Sequence, residues 1–101
     1  MAVLVEFDVL EATPEQMYAL EERTRQRGEA LGRPPFAGCM FLAVAPRDSA
    51  FHFVSAWRTE EAFKAVLETM LGPDLTAVGA SASNILIGPV MSMAIPETHA
   101  P

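Results

Sequence analysis

The sequence predicts an α+β fold: one four-stranded antiparallel sheet with two helices packed on the same face. Two observations carry that expectation. The spacing of apolar residues switches between a period of two and a period of about 3.6 in the order strand, helix, strand, strand, helix, strand, and each helical stretch opens on a threonine followed by acidic or amide residues.

From Val3 to Val9 the chain alternates, with Val3, Val5, Phe7 and Val9 on one side and Leu4, Glu6 and Asp8 on the other, as a half-buried strand does. Thr13, Pro14, Glu15 and Gln16 form a capping box with proline at the first helical position, so a helix starts there and runs to about Leu31, before Gly32. Met17, Leu20 and Leu31 are expected to face inward. Glu21, Glu22, Arg25 and Glu29 are expected to form a solvated face, with Glu21 and Arg25 at helical pairing distance.

Arg33 to Gly38 breaks that helix. Cys39 to Ala45 and Phe51 to Trp57 are apolar segments separated by turn-forming Pro46 to Ala50, which reads as a hairpin. Thr59 with Glu60 and Glu61 opens a second helix, whose stripe of Ala62, Phe63, Val66, Leu67, Met70 and Leu71 is expected to be buried and whose end is expected at Gly72-Pro73. Small residues from Ala77 to Ser83 read as a loop. Asn84 to Ile95 reads as the last strand, in which Pro89 requires an edge position, a bulge or a break.

Two helices cover one side of such a sheet. The other side is expected to show Met40, Leu42, Val44, Val54 and Leu86, too many apolar side chains for water, and a second copy packing sheet against sheet would cover them. The expected partner is therefore the chain itself.

A chain of 101 residues, half of them apolar, is one domain, taken as residues 1–96 with 97–101 as a frayed tail. A net charge of −6 provides no positive field for nucleic acid or anionic lipid. No apolar run is long enough to span a bilayer, and the N-terminal stretch lacks a basic region, so no membrane association and a cytoplasmic location are expected. The single cysteine, Cys39, cannot close an internal disulfide and reads as a buried thiol without an adjacent base. His52 and His99 form no metal-ligand spacing and no glycine-rich phosphate loop is present, so neither metal nor nucleotide cofactor is expected.

The order of elements, together with Trp57-Arg58-Thr59-Glu60-Glu61-Ala62-Phe63 leading through Leu71-Gly72-Pro73-Asp74-Leu75 to Gly79, resembles the dimeric α+β barrel superfamily, in particular its antibiotic-biosynthesis-monooxygenase-like branch. The resemblance implies a ferredoxin-like βαββαβ fold. It also implies a pocket between sheet and helices for a small aromatic or polyketide-like molecule, with Trp57 among its walls, and cofactor-free oxygenation among the activities of the branch. Four positions before Trp57, where a quinone-forming member places Asn, stands Phe53; six after it, where such a member places Tyr, stands Phe63. The His expected of haem-degrading members on the second helix is Leu67, and Phe7 stands in place of an Asn on the first strand.

The candidate substrate-binding residues are accordingly Trp57, Phe53, Phe63, Ser55, Tyr18 and Arg58. Trp57 is read both as a core aromatic and as a ligand wall; Arg58, Tyr18 and Ser55 are the donors that could stabilise a phenolate. The alternative is a non-catalytic binding or interaction module whose core is filled by Phe53, Phe63 and Trp57. His52 points to the uncovered face, where Glu6 or Asp8 could reach it, as a polar contact or as a pair with shifted pKa values.

Overall fold

The structure, a computed structural model, describes residues 1–92. The chain forms β1 (Val3–Leu10), α1 (Pro14–Leu31), β2 (Cys39–Arg47), β3 (Ala50–Trp57), α2 (Glu60–Val66), a π-helical turn (Leu67–Leu71), α3 (Gly72–Ala77) and β4 (Ala82–Pro89). The strands make one antiparallel sheet in the order β2-β3-β1-β4, the ferredoxin-like arrangement in which β1 and β3 lie at the centre.

Local chemistry fixes the ends of α1. Thr13 accepts from the Gln16 backbone while the Gln16 side chain accepts from the Thr13 N–H, and Gly32 closes the helix in the left-handed conformation that glycine adopts without penalty. The Gln16 amide also donates to the Val78 carbonyl at 3.0 Å, tying the start of α1 to the end of α3.

The second helix does not stop at Gly72-Pro73. It widens into a single π turn and continues to Ala77. A proline ring inside an α-helix collides with the carbonyl one turn back and leaves that carbonyl without a donor. The wider turn, closed by the Gly72 N–H on the Leu67 carbonyl, accommodates Pro73 instead. A Cβ at position 72 would lie 2.6 Å from that carbonyl oxygen, so the turn requires glycine there.

The loop before β4 is shorter than expected, because α3 reaches Ala77 and β4 begins at Ala82. β4 ends at Pro89 on the sheet edge, where a missing N–H leaves no ladder bond unmade. The remainder of the expected last strand beyond Ser92, with the 97–101 tail and His99, lies outside the described residues. The hairpin is tighter than expected. Pro46 and Arg47 belong to edge strand β2, and the turn narrows to Asp48 and Ser49.

The core lies between sheet and helices. Val3, Val5, Phe7 and Val9 from β1, Phe53 and Trp57 from β3, Leu20 from α1, and Phe63, Val66, Leu71 and Leu75 from the second helical run are its buried members. Leu31, expected inside, is 43% exposed in the last turn of α1.

The register also corrects the expected division of faces. Leu42 pairs with Ser55 and Val44 with Phe53, which puts both on the helix side. A bulge between Cys39 and Phe41 sets this register, and in a stretch apolar at every position from Cys39 to Ala45 alternation could not reveal it. The opposite face carries Val54 and Leu86 as expected, with Leu4, Phe41 and Ala56.

Candidate functional site

The helices cover β1 and β3 but leave the inner face of β2 bare. Leu42 and Val44 point to the helix side yet remain 39% and 43% exposed. Between them and α1 lies a cavity of about 360 Å³. Phe53, Leu20 and Leu71 form its floor, Met17 and Phe36 its ends, and Glu21, Thr24 and Arg25 its rim.

The floor is rigid. Phe53 stacks on Phe7 with ring centroids 4.7 Å apart and planes 16° from parallel. Phe36 packs against Trp57 at 6.2 Å, so the Trp57 ring lies one layer behind the cavity wall.

Of the six residues selected from the sequence, only Phe53 lines this cavity. Trp57, Ser55 and Phe63 are sealed in the adjoining core, with exposures of 0%, 0% and 1%. The Trp57 indole donates to Ser55 Oγ at 2.8 Å, Ser55 donates to the Val5 carbonyl, and Phe63 meets Trp57 edge to face at 5.4 Å. Tyr18 stands 72% exposed on α1 and Arg58 is exposed beyond β3. Of the other apolar lining residues, Leu42 and Val44 were expected on the opposite face, Met17 only as an inward-facing helix residue, and Phe36 had no assignment. For Leu42 and Val44 the one available signal was the apolar run Cys39 to Ala45 in a chain with too few helices to cover it.

Polar groups sit at the rim. Arg25 is held by Glu22 and by Glu29 at 2.7 Å, not by Glu21. Its carboxylate partners keep the guanidinium charged, and Arg25 in turn holds the Glu22 carboxyl below the usual range. Thr24 donates to the Leu20 carbonyl. The wall is therefore apolar at depth and charged only where it meets solvent.

Two further clusters lie outside the cavity. Asp74, 1% exposed, accepts from Arg23 at 3.1 Å and from Arg27 at 2.6 and 3.0 Å, fastening α3 to α1. The guanidiniums, Arg27 first, lower its pKa against the opposing effect of burial. On the far face of the sheet His52 sits between two carboxylates, with Nδ1 2.7 Å from Asp8 and Nε2 3.1 Å from Glu6, and Asn84 donates to the other Asp8 oxygen at 3.2 Å. Both acids raise the His52 pKa, Asp8 more strongly, and His52 lowers that of Asp8. Burial raises the pKa of the Cys39 thiol.

Among the described residues no group of three or more His, Cys, Asp or Glu side chains converges to hold a metal ion. No helix among them is long and apolar enough to cross a membrane.

No protein-family model matches the chain, and no curated protein matches it. Solved structures do. SnoaB, a cofactor-independent oxygenase from Streptomyces nogalater, superposes with a TM-score of 0.59 over 95% of this chain and 97% of its own, at 15% identity. A Chloroflexus aurantiacus protein provisionally described as an antibiotic biosynthesis monooxygenase gives 0.60 over 94% and 99% at 20% identity. A Nitrosomonas europaea protein of unknown function gives 0.61 over 96% and 97% at 22% identity. The chain has the ferredoxin-like α+β fold that these structures share. At these identities the likeness carries architecture, and function has to come from the site.

Proposed function

We propose that this protein is a homodimeric binding barrel for a small, flat, apolar or aromatic molecule, held between α1 and the inner face of β2 and β3. The single observation that carries this reading is the cavity of about 360 Å³ over Phe53, apolar at depth and polar only at its rim. A ring system would stack against Phe53 and Phe36, with its polar substituent toward Thr24 and Arg25. Trp57, Ser55 and Phe63 serve as the packed support behind that wall.

The homodimer is favoured by the second face of the sheet. Leu86 is 66% and Phe41 40% exposed there, and a hollow of about 550 Å³ is lined by Leu4, Phe41, Ala56, Val90 and the fully exposed Met91. A face that carries an apolar projection, Leu86, and a hollow walled in part by apolar side chains can be complementary to itself under a two-fold axis, and sheet faces pack at about 10 Å separation.

Oxygenation of the bound aromatic without a cofactor is the second reading, favoured by the shared fold with SnoaB. The donors suggested for it do not meet the cavity: Ser55 Oγ is engaged by Trp57 and Val5, and Tyr18 and Arg58 face solvent. Arg25 at the rim is the remaining cation for a phenolate. Binding without chemistry is therefore the reading the geometry favours.

Titration with a naphthol, followed by calorimetry, tests it. The parent chain should bind, and Val44→Trp, which fills the cavity from an exposed position, should weaken binding at least tenfold, about 1.4 kcal/mol, without loss of folding. Equal affinity in both proteins refutes the assignment. Oxygen uptake by the naphthol complex above that of free naphthol would favour the second reading.

A further inference from the structure

The His52 cluster has no part in the cavity. It joins three strands on the open face: His52 from β3, Glu6 and Asp8 from β1, and Asn84 from β4. Arg47, at the end of β2, is the other charged group acting on it. The His52 side chain is 14% exposed, against 24% for Asp8 and 39% for Glu6.

Both ring nitrogens lie within 3.1 Å of a carboxylate oxygen. A neutral imidazole has one N–H and one lone pair, so one of its two contacts would set the lone pair against a carboxylate. Only the imidazolium donates to both. The charged form also halves the negative charge that Glu6 and Asp8 place on this part of the face, in a chain whose formal charge is −6 with its histidines neutral.

We propose that the open sheet face is a proton-linked docking surface for a second copy of this chain, in which the His52 cation bridging Glu6 and Asp8 allows the face to be covered. The inference rests on the homodimer reading above. Pairing two such faces brings four carboxylates into one seam and removes water that otherwise screens them. With His52 charged, every carboxylate in the seam has a donor close by. With His52 neutral, one contact on each copy becomes repulsive and the seam carries two further uncompensated negative charges. Apolar matching of Leu86 with the hollow walled by Phe41 and Met91 supplies attraction; the cluster sets the pH range over which that attraction suffices.

The sign of the linkage follows from the seam: bringing Glu6 and Asp8 beside a second pair and away from water favours the imidazolium more in the dimer than in the free chain. His52 titrates above its ordinary value of 6.5. Its contribution to association is therefore present while the ring is charged and is lost as pH rises through the raised value. Burial of the acids in the seam acts on the other side, at acid pH, where Asp8 becomes protonated.

Sedimentation equilibrium of the full chain from about pH 6 to about pH 9 reads the dimer dissociation constant directly. The constant should rise at least tenfold across that span. Glu6→Gln, whose amide can donate to a neutral Nε2, should flatten the rise while preserving the dimer. A dimer whose dissociation constant is unchanged over the span overturns the proton linkage and leaves the homodimer standing, as does a rise of the same slope in Glu6→Gln. A monomer throughout the span overturns the homodimer itself, a result distinct from either.

Discussion

The helix-facing side of the sheet has two halves built from similar residues. Over β1 and β3, Val5, Phe7, Phe63 and Trp57 are sealed, with exposures no greater than 1%. Over β2, Leu42 and Val44 are as apolar as their neighbours yet lie open. The difference is one of cover. α1 and the α2–α3 run fill the space above β1 and β3 and reach Ala82 and Ile87 of β4, whereas Leu42 and Val44 on edge strand β2 are left open. A cavity in this fold is thus made by counting layers, without any special composition in its walls.

The largest way to break this contrast is at the sealed half. Trp57→Ala should cost about 3–5 kcal/mol of folding stability, because it removes the largest core side chain and leaves Ser55 without its donor. Urea unfolding followed by circular dichroism checks it; a loss below about 1 kcal/mol would show that the core refills from the cavity side.

The seam between the helices is next. Asp74→Asn should cost about 2 kcal/mol, less than a fully buried pair because Arg23 and Arg27 are partly exposed. It should also flatten the acid limb of the stability curve. Since the arginines hold the Asp74 carboxyl below 3.8, its contribution is present above that value and declines as pH falls through the lower one. Thermal melts of both proteins between about pH 2 and pH 7 resolve this.

The smallest stability effect is expected at the open half. Val44→Ser should change stability by no more than about 0.5 kcal/mol, since the residue is already 43% exposed, while weakening naphthol binding severalfold. A stability loss like that of Trp57→Ala would mean that β2 is covered in solution and that the two halves do not differ.

Much of the fold was legible in residue order. The capping box at Thr13, the threonine cap at Thr59 and the alternation from Val3 to Val9 each mark an element by local chemistry, and each occurs where expected. Gly72-Pro73 was misleading for a physical reason: the same pair that ends an α-helix can also build a π turn, and only packing of Leu71 and Leu75 into the core selects the continuation. The face of β2 was not legible because Cys39 to Ala45 is apolar at both parities, and the bulge that decides it depends on pairing with β3.

The candidate site divides in the same way. Phe53 was found because its parity on β3 was readable, and the contact of His52 with Glu6 or Asp8 followed from strand order; the structure supplies both. Trp57 was identifiable as large and inward-facing, but whether a space adjoined it depended on side chains remote in sequence. Periodicity and caps, which are local interactions, determined the strands, the helices and their order. Cavity position, the sealing of Trp57 and the meeting of His52 with two acids were decided by tertiary structure, because each depends on which distant surfaces touch and which are left without a partner.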